Sequence, residues 1–400
     1  MRPPRSAKCS PRADVRLAAV TSPSPSATES NALHARVQAF LRAAMVDPAR
    51  TPEPFDALAL ALARFQAAQI PATARLARAR GIDLATATRA ADVPAVPCDV
   101  FRLTRVAAHP PGEDVAVFRT SGTSQGREAR GEHAFRTTAT YELGARLWAE
   151  RLLWPDAAQL RSIVLASPLA EQPDSSLGFM LDRFAALLGG GSFHLRGGAL
   201  DLGGVVAAAA SARAANEPVL VLATSFALVH LLDARHGLDL RLPPGSRVMQ
   251  TGGFKGRSRE VAPDELRAAV SEAFAVPESQ VIGEYGMTEL SSQLYETTLA
   301  AALGKWPADE ARHGAYAAPP WVRVTAVDPV TLSPLPDGAV GIARLVDLAN
   351  VDSAVAIQTA DRVRVLPGSA GNHSIELLGR APGAPPRGCS IAADDMLGPP

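Results

Sequence analysis

Pro218-Val-Leu-Val-Leu-Ala223 is an unbroken apolar run that passes directly into Thr224-Ser-Phe-Ala-Leu-Val-His-Leu-Leu232. Apolar residues without polar alternation predict a strand buried on both faces, as in parallel sheets. Thr224 or Ser225 then supplies an N-cap, and the residues beyond it predict a helix. The same pairing recurs on either side. Upstream, a helix over 141–153 leads to the buried strand Ser162-Ile-Val-Leu-Ala166, and helices follow over 174–188 and 200–215. Downstream, Ser246-Arg-Val-Met-Gln250 leads through a helix over 263–274 to Gln280-Val-Ile-Gly-Glu-Tyr-Gly286. Strands alternating with helices predict an α/β fold with a largely parallel sheet flanked by helices.

The flanks read differently. Residues 31–46 and 55–68 carry apolar side chains at helical spacing, and Pro71 starts a third helical segment, so 32–110 is expected to be a helical N-terminal region. Cys98 falls in the proline-punctuated stretch Ala95-Val-Pro-Cys-Asp-Val-Phe101 and reads as a small buried hydrophobe. From Trp321 onward the apolar period shortens to about two. That predicts a β-rich subdomain over 319–385, beyond an α/β core at 111–318. Residues 1–31, rich in Pro, Ser, Arg and Ala, read as a disordered tail, and 386–400 as a C-terminal tail.

Composition removes several classes of function. Forty basic and forty acidic residues leave no net charge, so nothing electrostatic favours nucleic acid or an acidic membrane. No segment approaches the roughly 18–20 apolar residues of a membrane span, and the N-terminus lacks the apolar core of a secretory signal. Cys9, Cys98 and Cys389 are widely spaced and lack zinc-type spacing, which argues for a reducing, cytoplasmic setting. Histidines 133, 194, 230 and 236 show no metal-type pairing, and no Gly-x-Ser-x-Gly elbow points to a hydrolase.

Four segments carry the chemistry. Phe118-Arg-Thr-Ser-Gly-Thr-Ser-Gln-Gly126 follows an apolar stretch, and its glycines and hydroxyls can cradle a phosphate. Thr251-Gly-Gly-Phe-Lys-Gly256 and Glu284-Tyr-Gly-Met-Thr-Glu289 each follow a core strand, and Thr359-Ala-Asp361 lies in the β-rich part. Loops after successive parallel strands converge on one end of a sheet, so these segments can share a nucleotide site. N–H donors would face phosphates, an aromatic ring a base, and carboxylates ribose hydroxyls or Mg²⁺.

Those four segments together with Gly379-Arg380 occur in the order and rough spacing of the adenylate-forming enzymes, the superfamily of acyl-CoA synthetases, luciferases and adenylation domains. Val96-Pro97, Val100-Phe-Arg102, Thr251-Gly-Gly-Phe-Lys255 and Arg387-Gly-Cys-Ser390 resemble more closely the acyl-protein synthetases (LuxE-type) and their phenylacetate-CoA ligase-like relatives. The resemblance covers about residues 55–395. It implies ATP and Mg²⁺, a carboxylic-acid substrate of fatty or aromatic type, an acyl-adenylate intermediate and transfer of the acyl group to a thiol. Thr120, Ser121, Gly122, Thr123 and Gly126 would line the triphosphate, with Gly252, Gly253, Glu284, Gly286 and Thr288 completing the nucleotide loops. Tyr285 would flank adenine, Glu289 would hold Mg²⁺, Asp361 would bind the ribose hydroxyls, and Arg380 would sit near ribose or phosphates.

Two departures from the superfamily bear on the chemistry. Its C-terminal domain carries a lysine that stabilises the adenylation transition state; this chain is expected to stop before such a domain, and no lysine follows Lys305. Positive charge would then come from Mg²⁺, arginines or Lys255, one of only three lysines. Gln125 also lengthens the phosphate loop by one residue relative to the commoner Ser-Gly-Thr-Thr-Gly. Cys389, beside Arg387 and Gly388, matches the acyl-accepting cysteine of the acyl-protein synthetases, and an arginine neighbour favours its thiolate. An acyl-transferring or acyl-accepting protein is the expected partner. Ligation to coenzyme A or to a carrier protein is the alternative acceptor chemistry. A non-catalytic protein that binds nucleotide or acyl-adenylate is the alternative class.

Overall fold

The computed structural model describes residues 24–120, 130–252, 259–368, 373–381 and 396. The N-terminal region folds as α1 (Pro25–Val46), α2 (Phe55–Gln69) and α3 (Pro71–Ala79), followed by β1 (Val96–Pro97) and α4 (Val100–Leu103). A hairpin of β2 (Ala116–Arg119) and β3 (Glu132–Phe135) comes next, then α5 (Ala139–Leu152), β4 (Ser162–Leu165) and α6 (Ser176–Leu187). After β5 (Gly191–Phe193), β6 (Leu195–Arg196) and β7 (Ala199–Leu200) form a small separate ribbon. The alternating part continues with α7 (Leu202–Ala215), β8 (Leu220–Thr224), α8 (Ser225–Ala234), β9 (Arg247–Thr251), α9 (Pro263–Phe274) and β10 (Val281–Tyr285). The remaining elements are β11 (Leu294–Glu296), α10 (Thr298–Ala302), β12 (Ala315–Ala317), β13 (Val322–Val327), β14 (Val340–Asp347), β15 (Ala356–Pro367) and β16 (His373–Arg380).

The apolar run at 220–223 behaves as its pattern requires. Leu220 and Leu222 enter one hydrophobic cluster while Val221 and Ala223 enter a second on the opposite face. Its neighbours divide in the same way, Met249 and Ile282 to the first cluster, Val248 and Val281 to the second. Helices α1, α2, α5 and α6 cover the first face, and α7, α8 and α9 cover the second. Strands β5, β4, β8, β9 and β10 pair in parallel in that spatial order.

Residues 319–385 do not form a sheet of their own. Strand β10 pairs antiparallel with β11, β11 with β12 and β12 with β16, and the series continues through β15 and β14 to β13. One 12-stranded sheet results, with β1 added in parallel to β15. The shortened period from Trp321 onward falls within the antiparallel part of this sheet, which begins earlier, at β11. The helical region also begins earlier than composition suggested. Ser24 accepts a hydrogen bond from Ala27 N at 3.2 Å and Pro25 occupies the first turn, so a capped helix starts inside the stretch 1–31.

Candidate active site

Parallel pairing brings the carboxyl ends of β8, β9 and β10 side by side, with Thr224, Thr251 and Glu284 at those ends. Ser225 opens α8, and its hydroxyl donates to the Gly252 carbonyl at 2.6 Å. That bond fixes the start of the glycine loop, where Gly252 adopts φ +70°. Thr224 holds the N-cap position but makes no side-chain cap bond.

Tyr285 and Asp361 meet here. The Tyr285 hydroxyl donates to Asp361 Oδ2 at 3.0 Å, and Arg380 Nη1 stands 3.5 Å from Asp361 Oδ1. Burial pushes the Tyr285 phenol well above its usual range, and the Asp361 carboxylate pushes the same way, so the phenol keeps its proton and donates it. Asp361 and Arg380 are cross-strand partners on β15 and β16. A register shift follows immediately at Asp361–Val363, and β1, which flanks β15 at Ile357 and Gln358, has ended by then. Asp361 therefore lies where one neighbouring strand leaves and another begins, the kind of irregularity that re-aims a side chain.

The phosphate-loop candidate is the turn of the β2–β3 hairpin. Its tip lies outside the described residues, and with it Ser121, Gly122, Thr123 and Gly126. The neck is described. Thr120 N donates to Gly131 O at 2.9 Å, and Gly131 N donates to Thr120 Oγ1 at 2.9 Å. Arg130 clasps the Thr120 carbonyl with Nε and reaches Asp174 with Nη1. The Thr120 hydroxyl thus closes the neck of the loop. His133, one residue into β3, docks the hairpin: its Nδ1–H donates to the Thr288 carbonyl at 2.7 Å. Burial lowers the His133 pKa to about 4, so the ring stays neutral and works as a strut between the two motifs.

Glu289 is 6 % exposed, and Asn350 Nδ2 holds its carbonyl at 2.9 Å. Its charge, with those of Asp361 and Asp99, acts on Cys98, whose sulfur lies 3.8 Å from that of Met287. Burial first and these carboxylates second push the Cys98 thiol well up. Cys98 is therefore half-buried beside Met287, Glu289 and Asp361 and stays protonated, beyond the simple core role its sequence context suggests.

Glu284 and Tyr285 follow one another in β10, so their side chains leave the sheet on opposite faces. Tyr285 turns toward β15, while Glu284 is hydrogen-bonded by the Thr251 hydroxyl from the neighbouring strand. Gly286 leaves room for this carboxylate, because a Cβ there would lie 2.4 Å from Glu284 Oε1.

Lys255, Gly253 and Cys389 lie outside the described residues. Phe226 packs on the second face against His230, with ring centroids 6.4 Å apart. Gln293 and Asn350 contribute to the site although no motif marks them, and Ser225, read from sequence only as a helix cap, contributes as well. Among the described residues no group of three or more His, Cys, Asp or Glu side chains could hold a metal ion, and no helix is long and apolar enough to cross a membrane.

Residues 205–397 match the acyl-protein synthetase family, LuxE. No curated protein sequence matches the chain. Among solved structures, an open conformation of 2-hydroxyisobutyryl-CoA ligase in complex with 2-HIB-AMP and CoA has a TM-score of 0.60 at 13 % identity, over 81 % of this chain and 69 % of that one. The same ligase in its postadenylation state with R3-HIB-AMP gives 0.59 at 14 %, over 89 % and 68 %. ATP-bound MatB from Rhodopseudomonas palustris gives 0.47 at 15 % identity, and the chain spans 51 % of its length. The LuxE match and the shared fold agree with the α/β architecture and with the adenylate-forming superfamily that the motifs resemble.

Proposed function

We propose that this chain uses ATP to activate a carboxylic acid as its acyl-adenylate and then passes the acyl group to a thiol. In the first step a carboxylate oxygen attacks the α-phosphorus, the bond from that phosphorus to the bridging oxygen breaks, and pyrophosphate leaves. In the second a thiolate attacks the acyl carbon and AMP leaves. The observation that carries this reading is the Tyr285–Asp361–Arg380 group, with Tyr285 and Arg380 at the carboxyl ends of β10 and β16, beside a hairpin whose neck is tied by Thr120 and docked by His133. Asp361 would take the ribose hydroxyls, Tyr285 would flank the base, and the loop would meet the triphosphate.

Mg²⁺ fits a site of this kind only as an ion held largely by phosphate oxygens, with Glu289 as the protein carboxylate that would hold it. Bound there, it would neutralise charge on the departing pyrophosphate. Burial and the neighbouring carboxylates favour the protonated thiol of Cys98, which disfavours it as the acceptor, since the thiolate is the nucleophile. Cys389, with Arg387 next to it, is the better acceptor within the chain, and coenzyme A or a carrier-protein thiol is the rival.

Pyrophosphate exchange into ATP, dependent on an added carboxylic acid, tests the first step. Exchange with at least one acid supports the reading, and no exchange across a panel of fatty and aromatic acids, both plain and bearing hydroxyl or amino groups, would sink it. Labelled acid carried with ATP into a denaturing gel tests the second. Hydroxylamine-labile label on the chain that disappears in Cys389→Ser supports self-acylation, whereas label that survives the substitution removes it.

A further inference from the structure

The face of the sheet turned away from Tyr285 holds hydrogen-bond acceptors without donors. Glu284 is 8 % exposed, and among the described residues its carboxylate receives one hydrogen bond, from the Thr251 hydroxyl, and forms no ion pair. An ionised carboxylate can accept about four. Gln293, 6 % exposed, stands just before β11, across from Gly286, where the Gly286 Cβ position would be 3.8 Å from its Cγ. Tyr141 donates its proton toward the Ser176 carbonyl and receives Gln293 Nε2, each at 3.4 Å. That arrangement turns Gln293 Oε1 away from its partner, and Oε1 is left buried with none. The side chains that carry these two acceptors both flank Gly286, in a place where unpaired buried polar groups are costly. Burial raises the Glu284 pKa to about 7, with Thr251 offsetting part of the effect.

This corner touches a nearby cleft through Tyr141, which Gln293 contacts. The cleft, between α1, α5 and α6, has a volume of about 370 Å³ and is walled by Met180 and Phe184 and rimmed by Arg42, Arg146 and Arg183. A volume of this order accommodates a small organic molecule.

We propose that the acid activated here carries a hydroxyl or amino group, and that Glu284 and Gln293 accept hydrogen bonds from it. The inference rests on the adenylation reading above, with the nucleotide on the Tyr285 face and the body of the acid on the Glu284 face. A plain alkyl or aryl acid would leave both acceptors desolvated and unpaired, so it should be rejected. Sites built to bond a substrate hydroxyl or amine discriminate strongly against analogues without one. An ammonium group would also restore the missing positive charge, and a hydroxyl would supply the donor alone.

Matched acids in the exchange assay test this: octanoate against 3-hydroxyoctanoate, and benzoate against 3-hydroxybenzoate and 3-aminobenzoate. We expect kcat/KM at least about 100-fold higher for a donor-bearing acid than for its parent, and we expect Glu284→Gln to reduce that preference at least about tenfold. The hydroxy and amino arms show which donor the site takes. Equal use of parent and substituted acids overturns the inference while leaving adenylation standing. A full preference kept by folded Glu284→Gln protein overturns it as well. If no acid supports exchange, the adenylation reading fails and takes the inference with it. Folding of the variant is checked by melting at pH 8, where replacing a buried ionised carboxylate by a neutral amide should leave Tm equal or higher.

Discussion

Asp361→Ala should lower kcat/KM for ATP in acid-dependent exchange by about 100-fold, equivalent to about 2.7 kcal/mol of transition-state stabilisation. The carboxylate has three tasks in this reading. It would accept the ribose hydroxyls; it also accepts the Tyr285 proton at 3.0 Å and faces the Arg380 guanidinium at 3.5 Å. Without it a buried phenol loses its acceptor and the arginine loses its counter-charge beside the nucleotide. Asp361 is partly exposed, with 20 % of its side chain accessible, so the fold should tolerate the change and Tm should move little. Asp361→Asn separates the roles: it retains an acceptor for Tyr285 but leaves Arg380 unneutralised. Exchange within about threefold of the parent in Asp361→Ala would place the nucleotide elsewhere.

The largest expected effect on stability lies away from the strand ends. Asp352 accepts hydrogen bonds from Ser30 and from His34 Nε2, the latter at 2.8 Å, and Arg136 Nε stands 3.6 Å away. The other ring nitrogen of His34 bonds the Thr140 hydroxyl at 2.7 Å. Asp352 and His34 side chains are only 6 % and 10 % exposed. Removing one member of a buried charged pair strands its partners, at a cost of about 3–5 kcal/mol. Asp352→Ala should therefore lower Tm by several degrees, and a shift indistinguishable from zero would show that the network adds nothing to stability. Burial alone would raise the Asp352 pKa, but the bonds from His34 and Ser30 and the charge of Arg136 outweigh it and hold the carboxyl below its usual range. A carboxyl with a depressed folded pKa stabilises above its unfolded pKa, about 3.9, and that contribution disappears as pH falls through the folded value. The difference between parent and variant should shrink correspondingly in acid.

How far the sequence could be read depended on the range of the interaction. The strand at 220–223 and the helix at 263–274 were legible because period and capping are local, and α9 spans Pro263–Phe274 as the pattern predicts. Tyr285 and Asp361 could be named because each sits in a recognisable short motif, although their hydrogen bond links residues 76 positions apart. The pairing of Ala315–Ala317 with β16 has no local signature, so the β-rich segment reads as a unit of its own although it extends the main sheet. In sequence Glu284 groups with the nucleotide-loop candidates as the first residue of Glu284-Tyr-Gly-Met-Thr-Glu289. Strand alternation sends it to the other face, a distinction that appears only once Thr251 is known to lie beside it. Gln293 carried no signal, because an unpaired amide oxygen is a property of packing.

Strand β15 reaches far along the chain. At its start it pairs with β1, and the turn leading into it is held by Gln66, whose amide bonds the carbonyls of Asn350 and Val351 and accepts from Val355 N at 2.9 Å. Ser30 reaches Asp352 across 322 positions. Contacts of such sequence separation slow folding, because the intervening chain must be ordered before they form. On a ribosome adding residues in order, α1 and α2 emerge long before the segment that covers them, and Leu33, Val37, Leu58 and Leu62 meanwhile lack part of the core in which they are finally buried. The strand that supplies Asp361 is thus also the piece that closes the N-terminal helices. Nascent chains halted before residue 350 should be captured by chaperones, and those extended past residue 367 should be released.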